Sequence, residues 1–211
     1  MNITKLGHCC FLVEESGKRI ITDPGAWTTA QNELTGIDMI VITHEHADHF
    51  HIDSLKIVLR NNPQAVIVTN SRVATLLTEQ GIPSTVIEDT GQNTVQGIPI
   101  AGFGVSHAII YPSVPSVMNT GYLIAHRFFL PGDAFVEPHT DIEILGMPMA
   151  GPWMKLAESI DWAKAIQPKV CIPIHDGMLT PRAWIYTLPS KILPEVGIQF
   201  DPLEPGETRS Y

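Results

Sequence analysis

At 44% hydrophobic and 17% charged residues, the 211-residue chain can bury a sizeable core and is not a disordered polymer. Its net charge of −9, with Lys18, Arg19, Lys56, Arg60 and Arg72 scattered, excludes the basic stripe of a nucleic-acid binder. Residues 1–20 lack the charged start, apolar run and cleavage site of a secretion signal, and no apolar run reaches membrane-spanning length. Cys9, Cys10 and Cys171 are odd in number with two adjacent, a poor disulfide framework. The expectation is a soluble cytoplasmic protein with reduced cysteines, a small-molecule substrate, and neither a nucleic-acid partner nor a membrane span. Its oligomeric state is left open.

Ile3–Leu6, Cys10–Val13 and Arg19–Thr22 read as successive strands, with Ser16-Gly17 turning between the last two. Met39–Thr43 is an apolar run rich in β-branched residues, hence a buried strand. A helix follows over Asp53–Arg60, with Leu55, Val58 and Leu59 on one side. Then come a strand over Ala65–Thr69 and a helix over Arg72–Gln80 that Gly81 stops. Ile98–Ser106, Thr120–Ala125 and Phe128–Leu130 are expected strands. Trp153, Leu156, Ile160 and Ala163 mark one stripe of a helix over Trp153–Gln167, ended by Pro168, and Val170–Ile174 is the strand after it. No linker or repeat divides the chain, so residues 1–211 are read as one α/β domain in which helices cover two packed sheets.

The chemistry concentrates in Thr43-His44-Glu45-His46-Ala47-Asp48-His49, directly after a buried strand. A strand end delivers side chains rigidly, and the loop beyond lets the chain curl around an ion. Imidazole and carboxylate suit zinc and similar divalent ions. Three further segments place one such group near the end of a different expected strand: Gly104-Val105-Ser106-His107, Leu130-Pro131-Gly132-Asp133 and Cys171-Ile172-Pro173-Ile174-His175. Gly132 permits close backbone approach. Cys171 shares a strand face with His175, but four strand residues span about 13 Å, so the two cannot touch one ion.

This order of motifs resembles the metallo-β-lactamase superfamily, over essentially the whole chain. The resemblance implies a four-layer αββα sandwich and two divalent metal ions, zinc foremost, with manganese, iron or nickel as alternatives. Carried over by motif, His44, His46 and His107 hold the first ion. Asp48, His49 and His175 hold the second, and Asp133 bridges. Asp23, in Ile21-Thr22-Asp23-Pro24, matches an early Asp motif and is expected to orient a ligand, the alternative being a turn-forming Asp before Pro. Within the superfamily, Leu6-Gly7-His8-Cys9-Cys10-Phe11-Leu12 and Pro205-Gly206-Glu207 resemble the ascorbate-6-phosphate lactonase and N-acylphosphatidylethanolamine phospholipase D group. His8 then faces the site as a substrate or ligand-supporting contact, or is a structural histidine. Asp176-Gly177 departs from the aromatic-Gly that often follows the last metal histidine in those relatives.

The implied function is a hydrolase in which a hydroxide shared by the two ions attacks a small ester, lactone or phosphodiester, with Asp48 also shuttling a proton and Asp133 bridging. The alternatives are a mono-iron sulfur dioxygenase and a non-catalytic metal-binding protein. Candidate pocket walls are the loops 108–119, 135–153 and 177–189. They carry Tyr111, Trp153, Trp184 and Tyr186, which either line a partly apolar pocket or fill core under the loops. His51, His126 and His139 are expected at the surface.

Overall fold

The computed structural model describes residues 1–211. Its first half builds one mixed sheet. β1 (Asn2–Gly7), β2 (Cys10–Glu15) and β3 (Lys18–Thr22) form an antiparallel meander. β4 (Met39–Val41), β5 (Val66–Thr69) and β6 (Thr85–Val86) then continue it in parallel. β14 (Thr208–Ser210) returns to pair with β1 and gives the sheet seven strands.

The second sheet repeats this plan. β7 (Gln92–Val95), β8 (Ile98–Phe103), β9 (Gly121–Ile124) and β10 (Phe128–Leu130) are antiparallel. β11 (Ile144–Pro148), β12 (Val170–Ile174) and β13 (Gln199–Phe200) extend it in parallel.

Helices provide the outer layers because their apolar stripes need a sheet face to cover them. α1 (Ile52–Asn61) and α2 (Ser71–Glu79) bury Leu55, Val58, Val73 and Leu77 against Leu12, Ile21, Ile40 and Ile67 of the first sheet. α3 (Leu156–Ile166) and α4 (Arg182–Ile192) bury Ile160, Trp162, Ala163 and Tyr186 against Leu123, Phe129, Leu145 and Cys171 of the second. Between the sheets, Ile3, Val13, Ile20, Met39 and Val41 meet Ile98, Tyr122, Ile124, Phe128 and Ile172. Three apolar interfaces thus separate four layers, the expected αββα order. No helix is long and apolar enough to cross a membrane.

Several boundaries differ from the sequence reading, for identifiable reasons. The strand expected to reach Ser106 ends at Phe103, because Gly104 adopts φ +77° and turns the chain out. The strand read to Thr43 ends at Val41. The helix read from Trp153 begins at Leu156, where Glu158 accepts the Lys155 backbone N–H at 2.8 Å, so Trp153 lies outside it. The expected loop 177–189 runs into α4, which keeps Pro189 in its last turns. Proline reads as a helix breaker because it lacks an N–H, but burial of Tyr186 and Pro189 holds this helix together. The expected loop 135–153 contains β11, whose Gly146 and Pro148 disguise it as a turn.

Candidate metal centre

In both sheets the parallel strands end at the same edge, and the two edges meet there. Thr120 N–H donates to the Thr43 carbonyl (3.0 Å), and His44 pairs with Asn119 as an isolated bridge between the layers. Asp23 leaves β3 with φ +35°, fully buried. Its Oδ1 accepts the Thr43 backbone N–H (2.8 Å) and its Oδ2 the Thr43 hydroxyl (2.9 Å). The carboxylate therefore ties the start of the histidine loop to the neighbouring strand.

The same Oδ2 lies 2.8 Å from His49 Nδ1 and accepts its proton. His44 directs Nδ1 to the Thr43 hydroxyl (3.0 Å), His107 to the Ala108 carbonyl and His175 to the Ala150 carbonyl. An imidazole whose Nδ1 donates presents Nε2 as a bare lone pair when neutral. His44, His49, His107 and His175 thus all offer Nε2, and those atoms converge on Asp133.

Asp133 follows β10 through Gly132, where φ is +66° and a Cβ would fall 2.1 Å from Asn119 Oδ1. That contact matters because Asn119 Oδ1 accepts the Asp133 backbone N–H at 3.0 Å. Asp133 Oδ1 lies 3.1 Å from His49 Nε2, and its Oδ2 lies 2.9 Å from His175 Nε2 and 3.3 Å from His107 Nε2. Trp153 Nε1–H donates to Oδ2 at 3.0 Å. Asp48 Oδ2 stands 3.5 Å from His175 Nε2 and 3.7 Å from His49 Nε2.

Two donor groups result, each with its donor atoms within 4.8 Å of one another: His44, His46, His107 and Asp133; and His8, Asp48, His49 and His175. The structure thus brings together every residue expected to hold metal, with Asp133 touching members of both groups. His49 Nε2, His107 Nε2, His175 Nε2 and Asp133 Oδ1 are buried without a hydrogen-bond partner. Buried polar atoms are nearly always satisfied, so a cluster of orphaned lone pairs aimed at one point fits a cation there.

The electrostatics agree. Asp23, Asp48 and Asp133 form no ion pair with any lysine or arginine. Burial acts to raise the Asp133 pKa, but the facing histidines hold it well below the carboxylate range. Asp48 is likewise held down against burial by His175 and His8. Burial would lower His175, yet the facing carboxylates of Asp133 and Asp48 raise it to about 9. The carboxylates thus make the point between His49 and His175 suited to positive charge, whereas burial lowers His44 and His46 and keeps those rings neutral donors.

Other expected residues fall outside the cluster. Tyr111 is 63% exposed on the loop after His107, whereas Ile110, Val114 and Pro115 of that loop line a small cleft of about 30 Å³ beside His46 and His107. Trp184 points to solvent, and Tyr186 is buried with its hydroxyl on Asp176. His126 and His139 are exposed, and half-buried His51 caps α1. Sequence reasoning missed Asn119 and the hydrogen bond from Trp153 to Asp133. Neither has a local motif, because their partner, Asp133, is 14 or 20 residues away along the chain. Trp27, also missed, packs against His8 with ring centroids 4.4 Å apart and is half exposed.

The beta-lactamase superfamily domain model matches residues 2–175. Protein Rv0786c of Mycobacterium tuberculosis is 33% identical over 188 residues, 87% of each chain. A UPF0173 metal-dependent hydrolase of Aeropyrum pernix is 25% identical over 251 residues, covering 99% of this chain and 97% of its own. Among solved structures, Igni18, a metallo hydrolase from Ignicoccus hospitalis, superposes with a TM-score of 0.77 at 22% identity, over 100% of this chain and 98% of that one, a likeness of fold. With a family model matched over 174 consecutive residues, the chain belongs to the beta-lactamase superfamily.

Proposed function

We propose that the protein is a binuclear metal-dependent hydrolase of small esters, lactones or phosphodiesters. One observation carries this: four imidazoles with Nδ1 already committed turn Nε2 toward a single carboxylate, Asp133. The name of the Aeropyrum pernix relative, a metal-dependent hydrolase, supports the same reading.

In this assignment His44, His46 and His107 would hold the first ion, Asp48, His49 and His175 would hold the second, and Asp133, which faces both donor groups, would serve both. Imidazole and carboxylate donors suit zinc first, then manganese, iron or nickel. Bound ions would supply Lewis acidity and bring the pKa of a water toward neutrality.

The chain's own residues do the rest. Asn119 and Trp153 fix Asp133 in one orientation, and Asp23 fixes His49. Asp48, the least buried of the three carboxylates, accepts a proton from the attacking water and passes it toward the leaving oxygen. Ile110, Val114 and Pro115 flank His46 without any lysine or arginine, so that side of the site favours an apolar over an anionic substituent on the substrate. The Leu6-Gly7-His8 opening supports kinship with the ascorbate-6-phosphate lactonase and phospholipase D group.

The test is a panel of lactones, phosphodiesters and thioesters assayed with metal-loaded protein, with and without chelator. Hydrolysis of at least one class that chelator abolishes and metal restores is expected. His46→Glu, which adds a negative charge to an all-imidazole set, is expected to lower that rate. Oxygen consumption with a thiol or persulfide, with bound iron and no hydrolysis, would overturn the proposal.

A further inference from the structure

His8 stands beside the second donor group. It sits in the turn between β1 and β2 with φ +54°, its ring almost fully buried. Trp27 packs on one side at 4.4 Å and His175 on another at 4.3 Å. Its Nε2 lies 3.1 Å from Asp48 Oδ2, and proximity alone would admit it as a fourth ligand of the second ion.

Hydrogen bonding separates it from the ligands. The Gly177 backbone N–H donates to His8 Nδ1 at 3.1 Å. A neutral imidazole has one proton, so a ring that accepts at Nδ1 carries its proton on Nε2 and has no lone pair there for a metal. His44, His49, His107 and His175 have the opposite arrangement, with Nδ1 donating. Among the rings at this centre, His8 alone is faced by a backbone donor at Nδ1.

The donor is held firmly. A Cβ at residue 177 would sit 3.1 Å from both His8 Cβ and Nδ1, so glycine is what allows the amide to come this close. The preceding Asp176 is fully buried and turned away from the donor groups. Its carboxylate accepts from Lys5 Nζ at 2.5 Å and from the Tyr186 hydroxyl. Lys5 Nζ also donates to the Pro173 carbonyl at 3.1 Å. The segment carrying both His175 and the Gly177 amide is thereby anchored from behind by β1, the strand that leads into His8.

We propose that His8 is a positioning residue rather than a ligand: its Nε2–H donates to Asp48 Oδ2 and holds that carboxylate toward the second ion, in a tautomer imposed by the Gly177 amide. This rests on the binuclear reading above. It also gives Asp176-Gly177 a role, since the aspartate anchors the turn and the glycine sets the proton on His8.

The experiment compares wild type, His8→Phe and His8→Gln by competitive chelator titration with zinc, resolving the two binding steps. Phenylalanine keeps a ring between Trp27 and His175 but donates nothing, whereas glutamine retains an N–H donor of similar reach. Expected are two ions bound by all three proteins, a first-group step unchanged among them, a second-group step weakened about 10–100-fold in His8→Phe, and recovery to within a few-fold in His8→Gln. Nitrogen NMR of cadmium-substituted wild type is expected to show cadmium coupling to His49 and His175 and none to His8, with the His8 proton on Nε2. A wild type that binds fewer than two ions overturns the binuclear reading and this inference together. With two ions bound by wild type, cadmium coupling to His8, loss of one ion in both variants, or unaltered second-step affinity in His8→Phe each overturns the His8 assignment alone.

Discussion

Trp153 donates its indole N–H to Asp133 Oδ2 at 3.0 Å while its ring packs edge-on to Phe135 at 5.3 Å. The residue therefore fixes the orientation of the carboxylate that touches both donor groups, from a loop that carries no metal ligand. Trp153→Phe keeps most of the apolar packing and removes the donor. An affinity loss of about 10–100-fold for the ions Asp133 contacts is expected, the usual consequence of deleting a ligand's supporting hydrogen bond. Isothermal titration of the metal-free variant checks this, and unchanged affinity would show that the indole only fills space.

Asp133 and Asp23 separate the two kinds of carboxylate at this centre. Asp133 lies 3.1 Å from His49 Nε2 and 2.9 Å from His175 Nε2, whereas Asp23 reaches only the far nitrogen of His49. Asp133→Ala is expected to lose two-metal occupancy. Asp23→Ala is expected to keep it at saturation, with affinity about 10–100-fold weaker. Metal-to-protein ratios after equilibrium dialysis distinguish the two, and an Asp133→Ala protein that holds both ions with full activity would remove the bridging assignment.

The Lys5–Asp176 pair is fully buried on both sides. Removing one partner strands a charge, which typically costs about 3–5 kcal/mol, while replacing both with apolar groups is often tolerated. Urea unfolding of Lys5→Met should therefore show a stability loss of that order, and Lys5→Met with Asp176→Leu should recover much of it. A single substitution costing under about 1 kcal/mol would mean that the pair is not the anchor described here.

Much of this architecture is legible in the sequence because its signals are local. The histidine loop, the strand-end His and Asp residues and the apolar runs of β2, β4, β5 and β12 each declare themselves within a few residues. β11 and α4 do not, because Gly146, Pro148 and Pro189 are locally unfavourable and only packing against the second sheet compensates them. The site shows the same division. The donors are readable from type and spacing. Asn119, Trp153 and the Gly177 amide are not, because each acts on a residue brought near by the meeting of two sheets.

Arg127, in the turn between β9 and β10, joins both sheets through Glu143 at 2.6 Å and Glu15 at 3.0 Å. Its hydrogen bond lowers the Glu143 pKa. For Glu15, burial opposes ionisation, but the N-terminal ammonium, with Arg127 helping, prevails and lowers it too. Carboxylates with depressed folded-state pKa values contribute stability that is complete above their ordinary value of 4.5 and lost as pH falls below it. Wild type should thus lose more stability than Arg127→Gln between about pH 5 and pH 3, by about 1 kcal/mol or less for so exposed a network. Parallel unfolding curves at stepped pH check it, and identical pH slopes would contradict it.

The seven donors His44, His46, Asp48, His49, His107, Asp133 and His175 are proposed to form a two-ion centre. Elemental analysis of the purified protein, followed by titration of the metal-stripped protein with zinc, manganese, iron and nickel, tests it most directly. Two ions per chain with at least one of these metals is the expected result; a protein that comes purified without metal and binds at most one ion in every titration would contradict it.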